Sequence, residues 1–202
     1  MSTSSLPLTK LSAWATIFSS RVSGKYDLVD YDLGIYSSDT YFQSFFPGTE
    51  FIGWMNLKPL GLTDGKYGKI TLGSGVQVGN RDNSYRVAGS YLGYEYKKWL
   101  MNFEWSDADG YNGPVGYSID KKASGFYTTL AYRFTPKIQG LLRYDQFDPN
   151  KNIANNDKKE YVAGINYFIK GQAVKLMLNY VYCQNDALKN SHRIILGSQF
   201  VL

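Results

Sequence analysis

Apolar and polar residues alternate with a period of two along almost the whole chain, and the periodicity of an amphipathic helix is nearly absent. In residues 174–183, Val174, Leu176, Leu178, Tyr180 and Tyr182 fall on one side of an extended strand, and Lys175, Asn179 and Cys183 on the other. The same split separates Tyr161, Ala163, Ile165, Tyr167 and Ile169 from Gly164, Asn166 and Lys170. It separates Phe126, Leu130, Tyr132 and Phe134 from Thr129 and Arg133, and Trp99, Met101, Phe103 and Trp105 from Asn102, Glu104 and Ser106. Near the C-terminus, Ile194, Leu196, Phe200 and Leu202 oppose Arg193, Gly197 and Gln199. The pattern predicts about eleven strands, at 14–26, 29–37, 50–58, 68–79, 85–96, 99–106, 125–134, 138–147, 160–170, 173–183 and 193–202. Most are close to the length of roughly ten residues at which a tilted strand crosses a bilayer.

The connections between these strands alternate in length. Short ones fall at 27–28, 97–98, 135–137 and 171–172; long polar ones fall at 38–49, 107–124, 148–159 and 184–192. The connection at 80–84 is of middling length, and 59–67 is longer than its class predicts. Short turns at one end and long loops at the other define an antiparallel transmembrane β-barrel. A soluble sandwich has no reason to sort its loops in this way. Tyr96 and Trp99 flank the two-residue turn Lys97-Lys98, so they pair and share a side. Leu92, Tyr94, Met101 and Phe103 follow them onto one apolar surface, on which Tyr96, Trp99, Phe103, Trp105, Tyr132, Tyr180 and Phe200 are expected to form a lipid-facing girdle. The weakest expected strand is 68–79, whose inward side would carry Thr71, Gly73, Gly75 and Gln77 and leave room for something packed against it.

Composition narrows the class further. The 202 residues suit one domain, divided here into a lead-in or outer loop at 1–13 and a barrel at 14–202. Aromatic residues make up 16%, including 18 Tyr, and the charged fraction of 19% is low for a soluble globule. No run reaches the roughly 18 apolar residues of a membrane-spanning helix. A single Cys and a single His exclude a disulfide scaffold and a Cys/His zinc cage. Residues 1–20 carry no secretory signal pattern. The net charge of +5 is spread along the chain, which weakly favours anionic partners and does not form a nucleic-acid-binding arm.

Three runs near the C-terminus, 143–150 (RYDQFDPN), 160–170 (EYVAGINYFIK) and 174–180 (VKLMLNY), resemble the C-terminal end of the phosphate-selective porin O and P family. The runs 31–36 (YDLGIY), 56–61 (NLKPLG) and 125–132 (GFYTTLAY) resemble that family's strands as well. The likeness covers about 14–202 and is most specific over 125–202. It implies a 16-stranded, usually trimeric barrel in the bacterial outer membrane, in contact with membrane lipid and lipopolysaccharide. Its implied solutes are small anions such as phosphate. Two features depart from the family: the terminal Leu202 replaces the usual aromatic residue, and about five strands and the constricting loop are not among these residues. The chain is therefore expected to be the C-terminal portion of such a barrel. The family's phosphate-selective residues lie largely in the part not represented, and none is carried over.

With the apolar side toward lipid, Arg21, Lys25, Lys69, Arg133, Arg143, Lys175 and Arg193 are expected to line the pore, against the inward acids Asp32, Glu95, Glu104 and Asp145. Seven bases against four acids describe a mildly cationic wall that favours anions. The competing view is that a polar lumen needs charges and that these pair with one another, as Arg143 and Asp145 are placed to do. The run 107–112 (DADGYN) resembles the start of a calcium loop, with Asp107 and Asp109 as candidate ligands, but no Glu completes it and an ordinary turn fits better. Gly73, Gly75 and Gly79 miss dinucleotide-binding spacing. Ser191 and His192 are adjacent in a strand and so point apart, which does not make a nucleophile and its base. Cys183 is a lone thiol with no cluster to activate it.

The expectation is thus a porin without cofactors or enzymatic activity. It passes small hydrophilic solutes through a water-filled lumen, with a mild anion preference. The alternatives are a small non-conducting barrel with a structural, anchoring or adhesive role, and a soluble all-β binding protein.

Overall fold

In the computed structural model, residues 19–37, 48–80, 84–110, 122–186 and 189–201 are described. They form β1 (Ser19–Lys25), β2 (Val29–Ser37), β3 (Thr49–Leu57), β4 (Lys69–Asn80), β5 (Ser84–Tyr96), β6 (Trp99–Asp109), β7 (Lys122–Thr135), β8 (Ile138–Asp148), β9 (Lys158–Lys170), β10 (Val174–Asn185) and β11 (Ser191–Phe200). The eleven strands make one antiparallel sheet in which strand order equals chain order. Of the expected first strand, 14–18 lies outside the described residues, as does Leu202 at the other end.

Two-residue alternation becomes two unlike faces because every pairing keeps the register. Trp99 lies opposite Tyr96 and Tyr132, Met101 opposite Tyr94 and Leu130, and Phe103 opposite Leu92 and Thr128. The same row continues through Leu142, Ala163, Tyr180 and Ile194 on β8 to β11. We call this the aromatic face, and the opposite one the polar face. Glu104 sits opposite Tyr91 and Tyr127 on the polar face, and Tyr127 opposite Asp145.

No second layer covers the aromatic face among the described residues. Ile194 and Leu196 are each 77% exposed, Leu142 is 62% exposed, and no large side chain among the described residues is fully buried. A sandwich buries such a face against a second sheet. A continuous apolar surface of this size in water is an association or membrane surface, and at mid-strand it matches the lipid-facing band of a membrane barrel.

The strand ends differ from the sequence expectation at one place that matters. Residues 107–109 are not a turn: β6 runs on to Asp109 and β7 starts at Lys122, with Asp109 opposite Lys122 and Asp107 opposite Ala88 and Ser124. Charge pairs hold this extension beyond the apolar band. Lys151 Nζ donates to Asp107 Oδ2 at 2.7 Å, and Lys122 Nζ lies 3.4 Å from Asp109 Oδ2. The chain turns only at Gly110, with φ +76°, where a Cβ would come within 2.7 Å of the Ser84 carbonyl. Because β6 is longer than expected, Phe103 lies at mid-strand and not near an end. The long connection after β3 is compact for its length. Amide-to-carbonyl bonds from Gly61 to Lys58, Thr63 to Leu60, Lys66 to Thr63 and Gly68 to Gly65 wind it into successive turns.

Candidate functional site

All seven expected pore-lining bases occupy polar-face positions of the register, but they do not form one wall of like character. Arg21 pairs with Asp32 across β1 and β2, Arg193 pairs with Glu160 from β9, and Arg143 Nε donates to both oxygens of Asp145, at 3.0 and 2.9 Å. These three arginines sit in the middle of the sheet or toward its long loops.

Around Arg143 the pairing widens into a network. Its guanidinium carbon lies 3.9 Å from the Tyr127 ring centroid, and Tyr127 Oη donates to Glu104 Oε2 at 2.7 Å. Glu104 is buried, and so is Glu50, which accepts from Gln77 Nε2 at 2.8 Å and Tyr85 Oη at 2.6 Å. Each of these carboxylates is held in place by directed donors from the same face.

Lys25, Lys69, Arg133 and Lys175 lie at the opposite end, Lys69 just after the β3–β4 connection and the other three within three residues of a short turn. No ion pair is formed by any of the four among the described residues. Arg133 stacks on Phe168 with its guanidinium carbon 4.5 Å from the ring centroid, a contact that positions the group without cancelling its charge. The acids at this end are Glu95, opposite Lys69, and Asp30, opposite Lys25; Asp30 accepts from Lys58 Nζ at 2.8 Å.

The expected balance of seven bases against four acids is therefore corrected. Asp30, Glu50 and Glu160 also occupy polar-face positions, joined by the base Lys158. Each stands in the first few residues of its strand, where alternation alone leaves the facing open. The polar face is near neutral in total but segregated, with the uncompensated positive charge at the short-turn end and a slight acidic excess elsewhere.

On the aromatic face lie Tyr96, Trp99, Phe103, Trp105, Tyr132, Tyr180 and Phe200. Trp99 packs on Tyr132 at 4.6 Å between ring centroids and Tyr132 on Phe134 at 5.2 Å, forming a cluster at the short-turn end. Toward the long loops a second ladder runs Phe126, Tyr144, Tyr161, Tyr182, His192, with successive centroids 5.0 to 6.0 Å apart. Tyr161 and Tyr182 belong to the apolar side of the sequence alternation but not to the expected girdle; Tyr144 and His192 join them, each two residues from Leu142 or Ile194 on the same face. Tyr180 Oη lies 2.6 Å from His192 Nδ1, and Ser191 lies opposite Cys183 on the polar face. Ser191 and His192 are thus divided by the sheet. Asp107 and Asp109 each have a basic partner, and among the described residues no group of three His, Cys, Asp or Glu is gathered to hold a metal.

One apolar and one polar face on a single antiparallel sheet, with short turns at one end and long loops at the other, define a membrane β-barrel wall. The family model for phosphate-selective porin O and P matches residues 64–198, and the chain belongs to that family of the bacterial outer membrane. Its fold is similar to that of a porin refined at 1.8 Å, with 12% identity and a TM-score of 0.59. It is also similar to the outer membrane channel DcaP of Acinetobacter baumannii, with 13% identity and a TM-score of 0.55. Each alignment covers 89% of this chain and 60% of the other, so the chain spans under two thirds of either channel. No curated protein sequence matches it.

Proposed function

We propose that the eleven strands form part of the wall of a water-filled outer-membrane channel for small hydrophilic solutes. Anions are preferred because of Lys25, Lys69, Arg133 and Lys175 at the short-turn mouth. The observation that carries this reading is the segregation of charge on the polar face. A paired arginine presents a dipole to a passing ion, whereas an unpaired base presents a net charge, and only the latter biases permeation at a distance.

The rest of the wall comes from strands other than these eleven. In a meander β1 and β11 run in the same direction, so joining them would make a parallel seam, which is rare in such barrels. A second copy rotated about the pore axis would bring its β1 to β11 in the same parallel sense. Antiparallel closure therefore needs an odd number of additional strands. Open edges are excluded by the cost of bare amide and carbonyl groups in lipid, several kcal/mol for each.

The test is ion selectivity in planar bilayers. Replacing Lys25, Lys69, Arg133 and Lys175 together with Gln is expected to lower the anion-over-cation permeability ratio. Replacing Arg21 and Arg193 with Gln is expected to lower it less. Equal effects from the two sets would refute the assignment to the short-turn mouth.

A further inference from the structure

The short-turn end holds more positive charge than the channel mouth uses. Ten of the chain's 22 Lys and Arg lie on, or within three residues of, the five connections at this end (the longer β3–β4 one included), against four of its 17 Asp and Glu. That end carries a formal +6 and the remainder of the chain −1, for a total of +5. Part of the excess points away from the lumen. Lys66, Lys97, Lys98 and Lys137 stand on three connections at the short-turn end, β3–β4, β5–β6 and β7–β8.

Three of these lysines sit above rings. Lys66 Nζ lies 5.2 Å from the Tyr67 centroid, Lys97 Nζ 4.9 Å from that of Tyr96, and Lys98 Nζ 6.0 Å from that of Tyr132. Two of the connections touch: Tyr94 Oη donates to the Tyr67 carbonyl at 3.2 Å, and a Cβ on Gly68 would lie 2.5 Å from the Glu95 carbonyl. Lys97 occupies φ +52°, a backbone region that costs an ordinary L side chain energy and that Gly fills freely. Two adjacent like charges in a two-residue turn add repulsion. Neither the strain nor the repulsion helps the hairpin, so a purely structural turn would not place lysine there.

We propose that this shelf binds the phosphate headgroup of anionic phospholipids. Lys66, Lys97 and Lys98 are the charge partners, Lys137 flanks them, and the Trp99–Tyr132 pair is the platform for the upper acyl chain. Among phosphate-bearing ligands, the lipid is favoured over free phosphate by position. Met101 and Leu130 continue the aromatic face immediately beyond the rings and are exposed, an apolar surface that suits an acyl chain and offers an inorganic ion nothing. The short turns of such barrels face the periplasm, so the site meets the phospholipid leaflet there. Acids are few: Asp64 lies on the β3–β4 turn, and Glu95 belongs to the polar face. Clustered Lys at a membrane surface attracts anionic lipid, and the attraction grows with each added charge.

The proposal rests on membrane insertion, and the experiment separates the two. The channel, with the strands that complete its wall, is embedded in nanodiscs of mixed phosphatidylglycerol and phosphatidylcholine, and retained lipids are counted by native mass spectrometry. Phosphatidylglycerol is expected to be retained preferentially. Lys66→Gln/Lys97→Gln/Lys98→Gln is expected to reduce that preference on the order of tenfold or more. The charge-matched set Lys122→Gln/Lys151→Gln/Lys159→Gln, at the long-loop end, is expected to leave it unchanged. Lys97→Gly distinguishes binding from folding, since it should hold or raise thermal stability while weakening phosphatidylglycerol retention. Equal retention of the two lipids, an unchanged preference in the triple variant, or displacement of the lipid by excess inorganic phosphate would each overturn the site. A completed wall that does not insert into the bilayer overturns the membrane reading along with it.

Discussion

The two ends of the polar face use the same residue types to opposite effect. Toward the long loops, Arg21, Arg143 and Arg193 each meet a carboxylate, and the buried Glu50 and Glu104 tip the local balance to negative. At the short-turn end, Lys25, Lys69, Arg133 and Lys175 have no ion-pair partner among the described residues. A count of inward bases treats all seven alike. On the proposed reading, selectivity depends on which charges remain uncompensated, and a wall near neutral overall can still carry a biased mouth.

The largest expected effect comes from reversing that mouth. Lys69→Glu/Arg133→Glu/Lys175→Glu should invert the channel from anion-preferring to cation-preferring in reversal-potential measurements, whereas Arg21→Glu/Arg193→Glu should only weaken the preference. The contrast should also depend on salt. It is expected to be plain at 0.01 M, where the Debye length is about 30 Å, and nearly lost at 1 M, where it is about 3 Å.

Stability gives the next contrast. Asp145→Ala leaves the half-buried Arg143 guanidinium without its bidentate partner and should cost about 1–3 kcal/mol, read from denaturant unfolding in vesicles. Asp32→Ala, at the exposed Arg21 pair, should cost no more than about 1 kcal/mol. Similar losses at the two sites would mean that the networked and exposed pairs do not differ as their geometry indicates. The smallest effect is expected from Asp32→Asn, which frees Arg21 and should raise the anion preference modestly. A fall would show that Asp32 is not a counter-charge to a lumen-facing arginine.

Much of this architecture is legible in the sequence, because a period of two is local information. The strand at 29–37 coincides with β2, and most of the others shift by only a few residues. The charge segregation is less legible, because it depends on pairing. Arg193 and Glu160 are 33 positions apart, and they meet only because β9, β10 and β11 are adjacent and in register. Arg143 and Asp145 needed no such knowledge, being two apart on one strand. Asp107 and Asp109 were misplaced for a related reason. Polar residues resemble a loop until Lys122 and Lys151 are known to lie beside them.

Strand order equal to chain order also governs how the sheet is made. Every strand pairs with its chain neighbours, through connections as short as Lys97-Lys98. Loop-closure entropy is therefore small for each hairpin, and little of the assembly waits on distant segments finding one another. Successive hairpins add to a growing edge, each covering the unpaired groups left by the one before. The exception is the seam, where β1 and β11 meet whatever completes the wall. On the proposed reading these two edges keep unpaired amide and carbonyl groups that lipid does not tolerate, so the wall is complete in a membrane only once other strands cover them.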